Sequence, residues 1–281
     1  MADMGMVLAN RYRLLELVAA DGATESWRAA DLPSGRDVAV RLSLTGHADH
    51  AERFLAVARR AARVIHPGIV CVLDSGRSGP EGIPFLVTEL PGTSSLATLT
   101  QAGPLDPPWV LEVVWLLAGA LETAHAAGLV HQNVTSANVL LAPGGAVKLT
   151  DLALSDAAEP DVGTPAGDLC DLGMVAWECL TGAPSLPAAR LLPAVVPPGL
   201  AALVADLTAA DLRAHPVTAA EVATRAGELL ADQKIVDHYA QPPQLPVYPL
   251  SLAISRKLAA EALGRPGRPT RQVGRVRPGP A

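Results

Sequence analysis

The run GLVHQNVTSANVLL (residues 128–141) sets a polar cluster, His131 to Asn138, between apolar borders, and VKLTDLAL (147–154) follows it closely. Ahead of this pair lies a long apolar stretch with helical character, 107–128, and behind it come further helical stretches at 168–181, 198–208 and 218–232. The first ninety residues read differently. YRLLELV (12–18), ESWRAAD (25–31) and RDVAVRL (36–42) have the short apolar alternation of strands, and Pro33-Ser34-Gly35 turns between the last two. Residues 50–65 then show helical spacing, with Phe54, Val57, Ala58, Ala61 and Val64 on one side. Ile69–Asp74 and Pro84–Leu90 are two more expected strands, and the pattern changes at Pro91-Gly92. The fold class expected is α+β with two lobes: a small five-stranded antiparallel lobe carrying one helix, then a larger, mostly helical lobe. Clefts between lobes are favoured ligand sites.

Several strings in this order resemble the bacterial, actinobacterial-type serine/threonine protein kinases. VAVR (38–41) stands where that family has Val-Ala-Ile-Lys, and HPGIV (66–70) matches the linker after the lone helix of the small lobe. PFLVTEL (84–90) matches the fifth strand and hinge. GLVHQNVTSANVLL looks like the catalytic loop, VKLTDLAL like the metal-binding segment, and DLCDLGMVAWECLTGAPSL (168–186) like the central helix of the large lobe. The resemblance runs over about residues 10–232 and implies a kinase-like fold, with lobes at 10–91 and 92–234. Residues 1–9 are expected to be a flexible lead-in. Residues 235–281 are expected to form a Pro-, Gly- and Arg-rich tail with helical character at 250–263.

The resemblance also implies which chemistry each position should carry, and many positions depart from it. In the loop Val18–Thr24 only Gly22 survives of the expected glycines, and Asp21 would repel a triphosphate. Arg41 replaces the strand-three Lys; it keeps the charge but not the compact ammonium, and both a ligand contact and a surface-seeking role stay open. Val57 stands where the helix Glu should pair with it. Asn133 replaces the Asp that orients the attacking hydroxyl and accepts its proton. Thr135 replaces a Lys that stabilises the transferring phosphoryl group. Asn138 and Asp151 match the metal-holding pair, with either one retained cation site or loop hydrogen bonding as their role. Ala39 and Leu140 match apolar positions around an adenine. Only sixteen residues separate Asp151 from Asp168, with no Ala-Pro-Glu segment, and His215 stands where its Arg partner would be.

On these grounds the chain is expected to be no enzyme but a pseudokinase, a regulatory or scaffolding module acting by protein binding. The alternatives are a weak, atypical serine/threonine kinase and a nucleotide-binding switch without turnover. No cofactor is expected, and Gly22, Ala39, Arg41 and Leu140 are a vestigial nucleotide cleft. The truncated segment resembles the pseudokinase module that actinobacteria attach to their peptidoglycan lipid flippase. That likeness implies phosphorylation, here at Thr164, and recognition by a forkhead-associated domain or an active kinase as partner.

Charge and cysteines bound the setting. From Arg256 onward seven basic residues face the single acid Glu261, a net +6, so the rest of this chain of net −6 carries −12. Such a tail suits a solvated segment or contact with an anionic membrane surface; no nucleic-acid partner is expected. Three cysteines without metal-ligand spacing, and no basic-then-apolar start, lead to the expectation of a cytoplasmic protein with reduced thiols. Residues 109–130 are the most apolar stretch, but Glu112, Glu122 and His125 within it favour a buried helix over a membrane span.

Overall fold

The computed structural model describes residues 2–232, apart from 21–22, 46, 81, 93, 143–144, 153–162, 186–190 and 210–217. The small lobe is an antiparallel sheet of β1 (Val7–Leu8), β2 (Tyr12–Ala20), β3 (Thr24–Asp31), β4 (Arg36–Ser43), β5 (Val72–Ser78) and β6 (Ile83–Glu89), in the order β1-β2-β3-β4-β6-β5. Strand alternation sends successive side chains to opposite faces. In β4, Val38, Val40 and Leu42 therefore enter one buried cluster with Trp27, Ala29, Phe85 and Val87, while Ala39 and Arg41 share the other face. Helix α1 (Ala48–Ala61) covers that second face. Its Phe54, Leu55 and Ala58 pack on Leu86 of β6, and Arg53, Arg59 and Arg60 stay in water.

Two expectations need correction here. Residues 2–9 are not a loose lead-in: Leu8 is fully buried, Ala2 joins the sheet cluster, and the Gly5 amide donates to the Leu14 carbonyl at 2.8 Å. Covering the outer face of a small sheet removes Trp27 and Tyr12 from water, and that anchors the segment; it also makes a sixth strand of β1. The strand expected at 69–74 begins at Val72, because Ile69 and Val70 are taken by the large lobe. Val70 N–H donates to the Leu149 carbonyl and Leu149 N–H to the Gly68 carbonyl, at 2.9 and 2.8 Å.

The large lobe is built on α3 (Pro107–Ala126). Pro107 starts it well, since the amide a proline lacks has no partner in a first turn anyway. Its Val110, Leu111, Val113, Val114, Leu117 and Leu121 enter a single core with α4 (Pro165–Thr181), α5 (Pro198–Leu207) and α6 (Ala219–Ala231). By length and composition α3 could cross a bilayer, but most of it lies inside this core. Thr218 and Glu221 open α6, the Thr hydroxyl accepting from the Glu221 amide, and Gly182 ends α4 in the left-handed conformation that suits glycine. A short sheet, β7 (Ser94–Ser95), β8 (Val139–Leu141) and β9 (Val147–Leu149), lies at the lobe boundary with the short helix α2 (Leu96–Thr100). The expected tail at 235–281, with its helix at 250–263, lies outside the described residues.

Candidate active site

Burial of one carboxylate organises the catalytic-loop stretch. Asp168, at the start of α4, is 1% exposed, and an unpaired buried carboxylate would be costly. It is fully used: Oδ2 accepts from the His131 amide at 2.7 Å and lies 2.8 Å from His125 Nε2, while Oδ1 accepts from the Gln132 amide at 2.7 Å. These bonds bend the chain so sharply that Gln132 takes φ +68°. His131 is fully buried next to it, and burial holds its imidazole below the ordinary pKa. Its Nε2 donates to the Thr150 carbonyl at 2.8 Å and its Nδ1 accepts from the Asn133 amide at 3.3 Å, so the neutral ring with its proton on Nε2 satisfies both ends.

The His131–Thr150 link joins the loop to the segment carrying Asp151. Thr150 N–H also donates to the Asn138 carbonyl at 2.9 Å, which brings the Asn138 and Asp151 backbones side by side. Asp151 takes φ +61°, an arrangement costing roughly 1 kcal/mol or more for a residue with a side chain. Its neighbour Leu152 holds it there, 6% exposed among Ala61, Val64 and Ile69 beneath α1.

Across the cleft stands Arg41. Its Nη1 lies 3.0 Å from Asp151 Oδ1, its Nη2 is 3.4 Å from Thr24 Oγ1, and its buried Nε has no partner among the described residues. Val57 explains this orientation. On α1 it packs with Phe54, Leu55 and Leu86 and offers no charge, so the guanidinium turns to the nearest carboxylate instead. A second ion pair closes the hinge side: Lys148 Nζ of β9 meets Glu89 Oε1 of β6 at 2.5 Å, and the same oxygen accepts from the Cys71 amide at 2.8 Å. A small apolar cavity lined by Ala61, Val72, Leu86, Thr88, Leu149 and Leu152 opens beside Asp151.

The structure thus brings Arg41, Asp151 and Asn138 into one cleft, with Ala39 on the cleft face of β4 and Leu140 in β8. Asn133 and Thr135 are exposed on the loop, and the Asn133 carbonyl accepts from Asn138 Nδ2 at 2.9 Å, leaving the Asn138 amide oxygen available to a cation. Gly22, Asp21 and His215 lie outside the described residues. Thr164 is exposed at the N-cap of α4, with its hydroxyl accepting from the Gly167 amide at 3.0 Å. Sequence reasoning missed Thr24, Glu89 and Lys148, because cross-strand and cross-lobe pairs leave no spacing signal.

Among the described residues no group of three or more His, Cys, Asp or Glu side chains could hold a metal alone. One carboxylate and one amide oxygen instead make a weak divalent-cation site, which substrate phosphates would complete.

Residues 23–184 match the protein tyrosine and serine/threonine kinase family. Serine/threonine-protein kinase PknA of Mycobacterium tuberculosis is 34% identical over 209 residues, covering 64% of this chain and 48% of that protein. PknB of the same organism is 30% identical over 280 residues, covering 85% and 45%. The chain therefore spans about half the length of these relatives. The crystal structure of the M. tuberculosis PknI kinase domain superposes with a TM-score of 0.64 at 22% identity, covering 81% of this chain and 99% of that one, and shows the shared fold.

These findings overturn the expectation that the chain is not an enzyme. Relatives named as serine/threonine kinases match much of its length, and its fold is that of a kinase domain, which points to an enzyme. The expectation weighed every lost side chain against the family pattern and gave too little weight to what the cleft keeps: a cation at Arg41, and Asp151 and Asn138 on adjacent backbone.

Proposed function

From the premise that the chain belongs to the protein tyrosine and serine/threonine kinase family, we propose that it is a slow, atypical serine/threonine kinase. The observation that carries this reading is the meeting of Arg41 with Asp151 at 3.0 Å, beside the Asn138 backbone, in the interlobe cleft. A magnesium ion accompanying ATP would supply charge neutralisation in this cleft. Asp151 and the Asn138 amide oxygen would hold it, and Arg41 would donate to phosphate in place of a lysine. This takes the opposite side from the expectation of no cofactor.

In the reaction proposed, a serine or threonine hydroxyl oxygen attacks the γ-phosphorus, the bond to the β–γ bridging oxygen breaks, and ADP leaves. Asn133 cannot take the hydroxyl proton, which passes to water or to phosphate. Losing a general base costs roughly 10²–10⁴-fold in rate. Because phosphoryl transfer depends mainly on positioning and charge stabilisation, the reaction slows but does not stop. Thr164 is the proposed phosphoacceptor site on the chain itself, and a protein that binds its phosphorylated form, such as a forkhead-associated domain, is the proposed partner. An anionic membrane surface is the proposed contact of the basic tail.

Thermal-shift titration with ATP and magnesium tests the binding half of this reading. A stabilising shift in the wild-type chain that Asp151→Ala abolishes supports it. No shift at millimolar ATP contradicts it.

A further inference from the structure

We propose that Arg41 is a built-in cation that competes with a divalent metal ion for Asp151, so that metal binding and release of the guanidinium are one exchange. The inference rests on the kinase reading of the cleft and adds a mode of regulation to it. Three observations carry it. Asp151 Oδ1 is already neutralised by Arg41 Nη1 at 3.0 Å. The Arg41 side chain is only 15% exposed, and its buried Nε has no partner among the described residues, so this arrangement leaves a donor unsatisfied there. Its remaining contact, Nη2 to Thr24 Oγ1, is long at 3.4 Å.

Among the described residues the guanidinium is thus held on one side by a carboxylate and on the other by the long Thr24 contact alone. A buried N–H without an acceptor is a standing cost, and an incoming phosphate oxygen would remove it. A metal ion on either oxygen of this one carboxylate would lie close enough to the guanidinium to repel it. A metal ion at Asp151 must therefore displace Arg41, and the displaced fork is free to meet the phosphates. Metal and phosphate help each other in, while either alone faces the ion pair. A carboxylate at position 57 of α1 would have held the cation away from Asp151; Val57 offers none.

The test is calorimetric titration of the full chain with manganese alone, in wild-type, Arg41→Met, Arg41→Gln and Asp151→Asn forms. Arg41→Met is expected to bind manganese about tenfold more tightly than wild type, and Asp151→Asn to bind none in the same range. Arg41→Gln gives the same comparison if the Met variant does not fold. Equal or weaker manganese binding without Arg41, or binding that survives Asp151→Asn, overturns the exchange. Nucleotide is absent from this titration, so its outcome is independent of phosphate transfer: a chain that transfers no phosphate can still show the exchange, and an active kinase can fail to.

Discussion

Arg41 of β4 and Asp151 after β9 meet across the interlobe cleft in an ion pair of 3.0 Å, with Val57 standing by uncharged on α1. The family's lysine and glutamate pair is thus replaced by a contact that runs directly from the small lobe to the carboxylate proposed to hold a metal ion. Its consequences for stability and rate differ, and can be measured separately.

Removing one partner strands the other. Asp151→Asn keeps a residue type that tolerates φ +61° but leaves Arg41 without its carboxylate. Because both groups are partly buried, the loss is expected to be about 1–3 kcal/mol, less than for a fully buried pair. The double variant Arg41→Met, Asp151→Asn should recover most of it. Urea denaturation of the four proteins measures the coupling; additive losses would show that the pair contributes nothing.

Restoring the lost reagents should raise the rate. Asn133 and Thr135 are exposed on the loop, so Asp and Lys fit there without repacking. Asn133→Asp with Thr135→Lys is expected to increase phosphate transfer by about 10²-fold or more. Initial rates with a generic serine peptide read this directly, and an unchanged rate would place the limiting defect elsewhere in the cleft.

Acid should weaken the fold through His131. Burial lowers its pKa below the ordinary 6.5, as it does for His66, so the unfolded chain binds more protons as the pH drops. Stability from this source is complete above pH 6.5 and is lost as pH falls toward the lowered folded value. Asp106 and Asp171, whose carboxyls are raised by burial, act in the opposite sense at lower pH. Calorimetric melting temperatures from pH 7 to 5 should fall, about 1 kcal/mol shifting them by a few degrees. In His131→Gln, where an amide can still donate to Thr150, the fall should be shallower. An equal slope in that variant would assign the effect to other groups.

Close helix packing separates two glycines of α4. A Cβ on Gly173 would sit 2.6 Å from Leu207 Cβ at the end of α5 and 2.9 Å from Cγ2 of Thr208, which caps that helix, whereas on Gly167 the nearest atom is Thr164 Oγ1 at 3.4 Å. Gly173→Ala should therefore destabilise by about 1–3 kcal/mol. Gly167→Ala should be neutral or stabilising by up to about 1 kcal/mol. Thermal melts compare the two, and equal effects would contradict the packing described.

Much of this fold was legible because its signals are local. The alternation in RDVAVRL places Ala39 and Arg41 on the face opposite Val38, Val40 and Leu42, as found. The helices of the large lobe announce themselves by apolar periodicity and by ends such as Thr218 and Gly182. What stayed hidden depends on distant partners. Ile69 and Val70 read as strand but are captured by Leu149, and residues 2–9 read as loose but are needed to cover Trp27. At the site, each family position could be found by string, yet the redirection of Arg41 to Asp151 and the Glu89–Lys148 tie need the fold itself. Counting lost side chains led to a non-enzyme; similarity to serine/threonine kinases over much of the chain corrected it.

The most direct measurement is transfer of radiolabelled γ-phosphate from ATP, with magnesium, by the purified chain. Label should appear slowly on serine or threonine, on the chain or on an added peptide, and Asp151→Ala should abolish it. Absence of label above background over hours, or label undiminished by that substitution, would contradict a kinase acting through Asp151.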